Sequence, residues 1–281
     1  MPRSTIDPTA PDATTGTAPP ANAITASGAV LAYGARVALA AATFAVPAGS
    51  TVALIGPNGS GKSTLLRALA GLAPPRSGRL EVPARAGRGG LAFVLQTTDV
   101  ERTLPVTVRE TVAMARYAIR GPFGRLRAVD RAAVRQALER MEIVELAGRQ
   151  LHELSNGQRQ RVLVAQGLAQ HAEVLLLDEP VTGLDVLSRE LIFRAVEAER
   201  DAGRTVVVST HDLDDARRAD LVMLLANRVV AFGPPGEVLS DGPLHEAYGG
   251  RVLRVPEGVI VMDDPHHDHG HRGHDQHRAG A

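Results

Sequence analysis

One run of residues constrains this chain more than any other: Gly56-Pro57-Asn58-Gly59-Ser60-Gly61-Lys62-Ser63-Thr64. It fits G-x-x-x-x-G-K-[ST], the spacing of a phosphate-binding loop. An apolar run at 51–55 precedes it and a segment of helical apolar period at 65–70 follows it. Strand, loop and helix in that order are the context the motif needs. The glycines let the backbone curl so that successive N–H groups point at one anion. The helix N-terminus adds its partial positive charge. In such a loop Lys62 reaches the β- and γ-phosphates and the Ser63 hydroxyl ligates Mg²⁺. The stretch therefore predicts a nucleoside-triphosphate site.

The rest of the composition sets limits around that site. A chain of 281 residues is long enough to bury a full α/β core. Its formal net charge is zero, so no global basic field points to nucleic acid or to an anionic surface. Cysteine is absent, which excludes disulfides and thiolate metal sites and fits a reducing compartment. The most apolar long window, 29–46, is broken by Gly34 and Arg36 and reads as two short strands around a turn, not as a membrane span. Residues 1–25 are rich in Pro, Thr and Ala, lack the apolar core of a signal peptide and are expected to be a disordered tail. Any membrane work is then done through a partner.

Three parts are expected: the tail at 1–25, one globular unit at 26–255, and a polar histidine-rich tail at 256–281. Within the globular unit, the apolar runs at 52–55, 91–95, 174–177 and 206–209 read as buried strands of a largely parallel sheet. Between the second and third runs the pattern turns helical. Thr107-Val108-Arg109-Glu110 is a capping box that opens one helix. Apolar residues at helical spacing over 130–141 predict a second, and 157–170 a third. This insert, about residues 97–170, reads as a helical unit able to move as one piece.

Phosphate binding alone is not a reaction. Hydrolysis also needs a metal ligand and a group that orients water. Asp178 and Glu179 follow the apolar run Val174-Leu175-Leu176-Leu177, at the carboxyl end of a strand, where open α/β sheets bind ligands. Asp178 is placed to hold Mg²⁺ and Glu179 to accept a proton from the attacking water. Leu154-Ser155-Asn156-Gly157-Gln158 precedes a helix with Arg159 and Arg161 in its first turn, which makes a second anion-binding helix start.

Taken together, these motifs resemble those of the nucleotide-binding subunit of ABC (ATP-binding cassette) transporters, over about residues 26–250. Gly56 to Thr64 is similar to the Walker A loop, and Leu154 to Gln158 to the signature. Val174 to Glu179 is similar to Walker B with its catalytic glutamate. Gln96 matches the Q-loop glutamine, Gly183-Leu184-Asp185 the D-loop, and His211 the switch histidine. Tyr33 stands where an aromatic residue stacks on adenine. The resemblance implies an α/β fold, a P-loop NTPase cassette with a mostly parallel core sheet, an antiparallel β subdomain and an inserted helical signature subdomain. It implies ATP and Mg²⁺ as cofactors, with Ser63, Gln96 and Asp178 around the metal and Gln96 and His211 sensing the γ-phosphate. It also implies a head-to-tail homodimer in which Ser155, Asn156, Gly157 and Gln158 of one copy close on the triphosphate held by the other. The partners would be a membrane permease and, indirectly, a substrate-binding protein. The chain would then sit at the cytoplasmic face of the cell membrane, with no nucleic acid involved. Two residues depart from the usual pattern. Asn156 replaces a glycine and is expected to tolerate a left-handed turn. Gly167 lies inside the signature helix, at a cost of about 1 kcal/mol relative to Ala.

The cargo reading has two supports. The segment 103–131, with Tyr117 and Gly121-Pro122-Phe123-Gly124-Arg125, resembles the zinc and manganese importers of the family, as do 230–235 and 247–249. Six of the ten histidines, His266, His267, His269, His271, His274 and His277, crowd the C-terminal tail. Imidazole suits Zn²⁺, Ni²⁺ and Cu²⁺ better than Mn²⁺, so this tract is a candidate transition-metal site or an unspecific solvated tail. An iron-chelate cargo is the alternative. A nickel-type metallochaperone GTPase would need a guanine-reading N-K-x-D motif, which the nearest candidate, Asn227-Arg228-Val229, lacks. A soluble ABC protein of translation or repair would carry two cassettes or a split one. A plain metal-binding module would not keep Lys62, Asp178, Glu179 and His211 intact.

Overall fold

The computed structural model describes residues 21–95 and 105–249, together with the backbone of 252–255 and 258–261. Gln96 and the six tail histidines lie outside the described residues.

The described residues open with two long strands, β1 (Asn22–Tyr33) and β2 (Arg36–Pro47), paired antiparallel. β1 starts inside the stretch read from sequence as tail, and both strands run 12 residues, longer than expected. Register shifts along the pair let the strands bend and keep Ile24, Leu31, Leu39 and Val46 inward despite the many alanines. Next come β3 (Thr51–Ile55), α1 (Lys62–Leu69), β4 (Ser77–Glu81) and β5 (Leu91–Val94). The helical insert supplies α2 (Val108–Arg120), α3 (Ala128–Arg140) and α4 (Asn156–Ala169). The remainder is β6 (Val174–Leu177), α5 (Val186–Asp201), β7 (Thr205–Ser209), α6 (Leu213–Arg217), β8 (Leu221–Leu225) and β9 (Val229–Gly233). Two short helices, α7 (Pro235–Val238) and α8 (Asp241–Tyr248), then lead to a hairpin of β10 (Val252–Val255) and β11 (Gly258–Val261).

Six strands form the core sheet in the order β5-β6-β7-β3-β8-β9; the first five are parallel and β9 closes the edge antiparallel. The four apolar runs found in the sequence are β3, β5, β6 and β7. β8 and β9 were not read there. A separate antiparallel sheet has the order β2-β1-β4.

The central strands are apolar on both sides, so each supplies two cores. Val52, Leu54, Leu176, Val207 and Met223 face α1 and the antiparallel sheet. Ala53, Ile55, Leu175, Leu177 and Val208 face the opposite way, onto α5 and the helical insert. Each fully buried Val or Leu contributes about 1.5–3 kcal/mol relative to exposure, which is why no central strand alternates with polar residues. The helix carrying the phosphate loop and the helix carrying the signature therefore pack on opposite faces of one sheet.

Helix starts follow local capping chemistry. At α2 the Glu110 N–H donates to Thr107 Oγ1 at 3.3 Å, and the Thr107 N–H donates to Glu110 Oε2 at 2.8 Å. α3 begins two residues before the stretch 130–141 read from sequence, with Asp130 inside it. Asp130 is the third helical residue and reaches back to accept the Arg127 N–H at 2.8 Å.

Candidate functional site: the phosphate loop and its surroundings

The phosphate loop links β3 to α1 at the carboxyl end of the parallel strands. Two of its glycines are fixed by crowding. A Cβ on Gly56 would sit 2.1 Å from the Leu225 carbonyl oxygen, and one on Gly61 would sit 2.7 Å from the Ala38 carbonyl oxygen. Their φ values, 150° and 106°, are also ones that side chains disfavour. Gly61 caps α1, so the first N–H groups of the helix open from the loop. Pro57, Asn58 and Gly59 form the outer rim, whereas Ser60 is buried. Lys62 is only 6% exposed. Its Nζ donates to the carbonyls of Gly56 at 2.6 Å and Pro57 at 3.2 Å. The ammonium is thus folded back across the mouth of the loop.

β6 delivers the carboxylates. Asp178 is 3% exposed, and its Oδ1 accepts hydrogen bonds from Ser63 Oγ at 3.2 Å and Ser209 Oγ at 2.7 Å. Two elements far apart in sequence, α1 and β7, thereby converge on one oxygen. Glu179 follows in a left-handed conformation, φ 46°. Its N–H donates to Ser209 Oγ at 2.8 Å, and its Oε2 accepts Thr182 Oγ1 at 3.2 Å. Ser209 therefore orients both acidic residues. Sequence reading missed it. The signal is the parallel register Leu177↔Val208, which sets Asp178 beside Ser209 once β6 and β7 are known to be neighbours. A hydroxyl beside a buried carboxylate is a hard oxygen donor set and fits Mg²⁺.

The other expected residues fall around this centre. Tyr33 is 49% exposed, and its hydroxyl accepts Arg67 Nη1 at 3.2 Å. His211 is exposed between β7 and α6. Asp212 then caps α6 through the N–H groups of Asp214 at 2.8 Å and Asp215 at 3.3 Å. Arg189 of α5 grips Asp212 at 2.7 Å and also Asp215, tying the helix that follows the D-loop to the segment behind His211. Burial raises the Asp215 carboxyl above the ordinary range even against the pull of Arg189.

The signature stands apart from this cluster. Ser155 is the exposed N-cap of α4, with its Oγ accepting the Gln158 N–H at 3.3 Å and Gln158 Oε1 accepting the Ser155 N–H at 3.1 Å. Asn156 is the first helical residue and is not left-handed. The turn that a glycine was thought to require does not exist here, so its replacement strains nothing. A Cβ on Gly157 would lie 3.5 Å from Asp185 Oδ2, which places the D-loop carboxylate beside the signature of the same chain. Asp185 caps α5. The Ser188 N–H and hydroxyl, both at 2.9 Å, hold its carboxyl below the usual range.

A phosphate loop bridged by a buried lysine, with a buried carboxylate at the end of a parallel strand against its Ser63, defines a phosphate-loop NTPase. The family model for ABC transporters matches residues 39–182. The manganese transport system ATP-binding protein MntB of Listeria monocytogenes is 37% identical over 236 residues, 83% of this chain and 98% of that protein. The zinc transport system ATP-binding protein TroB of Treponema pallidum is 37% identical over 79% of this chain and 85% of its own length. Among solved structures, the ADP-bound cassette MJ1267 superposes with TM-score 0.70 at 25% identity, covering 82% of this chain and 99% of that one. The dimeric cassette MJ0796 superposes with TM-score 0.66 at 27% identity, covering 75% and 98%. The chain belongs to the ABC transporter family, and it is the subunit that binds and hydrolyses ATP. No helix among the described residues is long and apolar enough to cross a membrane.

Proposed function

We propose that this subunit powers import of a divalent transition metal, manganese or zinc, by docking on a membrane permease at the cytoplasmic face of the cell membrane. The support is its 33–37% identity, over most of its length, to ATP-binding proteins named for manganese and zinc transport. A protein named for chelated iron transport, YfeB of Yersinia pestis, is 38% identical over 79% of this chain, and it keeps iron as the second reading. A substrate-binding protein would load the permease from outside.

One arrangement carries the chemistry: Ser63 and Asp178 converge 3.2 Å apart under the phosphate loop, with Glu179 next in the chain. Ser63 and Asp178, with Gln96, would hold Mg²⁺, which when bound offsets phosphate charge. Gly59, Ser60, Gly61, Lys62, Ser63 and Thr64 wrap the phosphates, with Asn58 and Pro57 at the rim and Tyr33 against adenine. Glu179 accepts the proton of the attacking water and His211 contacts the γ-phosphate. A second copy contributes Ser155, Asn156, Gly157 and Gln158. The C-terminal histidines, His266 to His277, act as a metal buffer beside the transporter.

The test is uptake of labelled manganese, zinc and iron by cells lacking this gene, complemented with wild type or Glu179→Gln. Loss of manganese or zinc uptake, restored only by wild type, is the expected result. Loss confined to iron moves the cargo to the chelate reading. Normal uptake of all three overturns the proposal.

A further inference from the structure

The turn between β8 and β9 touches the phosphate loop through the side chain of Asn227. Its amide Nδ2 donates to the Gly59 carbonyl at 2.9 Å and to the Ala38 carbonyl at 3.1 Å. Its backbone N–H donates to the Ser60 carbonyl at 3.0 Å, and its own carbonyl accepts the Ala40 N–H at 2.7 Å. One residue thus ties the loop to β2. Leu225, at the end of β8, covers Gly56 at the other end of the same loop.

The residue type is dictated twice over. Asn227 has φ 53°, a left-handed backbone that Asn tolerates better than most residues. Glycine would accept that backbone, but it has no amide to offer. The amide must present its nitrogen and not its oxygen, because both neighbours are carbonyl oxygens.

We infer that Asn227 is a positioning residue for ATP, holding the phosphate loop in its receiving shape without touching the nucleotide. The C=O and N–H of a trans peptide unit point in opposite directions. Anchoring the Ser60 carbonyl to Asn227 therefore turns the Gly61 N–H away from the hairpin, where it opens α1 toward the anion. Anchoring the Gly59 carbonyl keeps that oxygen from facing the phosphates. The inference rests on the nucleotide reading of residues 56–64.

Asn227→Gly removes the amide and keeps the backbone geometry; Asn227→Asp sets an acceptor against both carbonyls. ATP affinity, steady-state kinetics, thermal midpoint and amide exchange of nucleotide-free protein are measured for each. Loss of these hydrogen bonds is expected to raise the KM for ATP roughly tenfold in Asn227→Gly, and further in Asp, with kcat within about twofold. Exchange should quicken at 56–64 but not across β3 and β7. An unchanged KM overturns the proposal. So does lost affinity accompanied by faster exchange throughout the core, which would make Asn227 a structural residue only. Wild-type protein that failed to bind ATP would instead sink the nucleotide reading of the loop.

Discussion

Ser209 is the residue on which both acidic groups of the site depend. It gives its hydrogen to Asp178 and takes one from the Glu179 N–H, and Glu179 sits at φ 46°. Ser209→Ala leaves the Asp178 oxygen and the Glu179 amide without that partner in a buried setting. Each lost hydrogen bond there costs about 1 kcal/mol, so kcat is expected to fall roughly tenfold or more, with a smaller change in KM; steady-state kinetics check it. Gly167 makes the opposite point about what a sequence can say. Helix propensity alone predicts that Gly167→Ala stabilises α4 by about 1 kcal/mol. The new Cβ would meet Val94 Cγ2 at 2.6 Å and Leu175 Cδ1 at 3.1 Å. Val94 is β-branched and buried in β5, so it cannot swing aside. Overpacking of this kind costs about 1–3 kcal/mol, and a urea melt should show Gly167→Ala less stable than wild type. Lys62 and Ser63 could be picked out as candidates because one local loop sets their spacing, and Asp178 and Glu179 because they follow an apolar strand directly. Ser209, Asn227 and the reason for Gly167 were not, because each depends on which strand or helix lies alongside.

The helical insert is held together by a buried ion cluster that no local pattern announces. Asp130 is fully buried at the start of α3 and faces Arg116 at 3.0 Å and Arg120 at 2.9 Å, both from α2. Arg116 also donates to the Ala169 and Gln170 carbonyls at the end of α4, at 2.9 and 3.2 Å. α2 and α3 thus share one carboxylate, and Arg116 carries the link on to the end of α4. Hydrogen bonding from Arg120 holds the Asp130 carboxyl far below the ordinary range, against the opposing pull of burial. Because the folded value is depressed, the stabilisation is present above the unfolded value of about 3.9 and fades as pH falls below it. Breaking such a pair from one side costs about 3–5 kcal/mol. Asp130→Asn should therefore lower stability by a constant amount from neutral pH to about pH 5, and the gap to wild type should narrow below about pH 4. Denaturant titrations at several pH values measure it. A second bridge reaches the core: Arg140 of α3 pairs with Glu199 of α5 at 2.6 Å, and Arg204 grips the same carboxylate. In sequence the helices were visible from period and capping. Their mutual anchoring was not, since Asp130 resembles an ordinary cap until its neighbours in space are known.

At the scale of the whole molecule, the core sheet separates the starts of α1 and α4, the two helix starts expected to bind anions. α1 packs with β1, β2 and β4 on one face, and α4 packs with α5 on the other. A single copy does not fold its signature over its own phosphate loop, and the proposed head-to-tail pair would complete the site with a second chain. The surface next to the signature suits this: Val186 and Leu187, just after the D-loop, are 85% and 60% exposed. Covering such side chains favours association by about 25 cal/mol per Å² of apolar surface removed from water. ATP itself would bridge the two halves, and cleavage would remove the bridge. Glu179→Gln, which keeps the shape of the side chain but not its basicity, should therefore give a stable dimer with ATP and a monomer without it. The chain has no cysteine, so orientation can be read directly. Single substitutions Asn58→Cys and Asn156→Cys are placed in separate Glu179→Gln chains and treated with a short bis-maleimide linker in the presence of ATP. A head-to-tail pair brings the loop of one chain to the signature of the other. Mixed chains should therefore crosslink and neither variant alone should do so. Crosslinking between like variants, or none with ATP bound, would mean that each chain completes its site some other way, and the assignment of Ser155 to a neighbour's nucleotide would have to be abandoned.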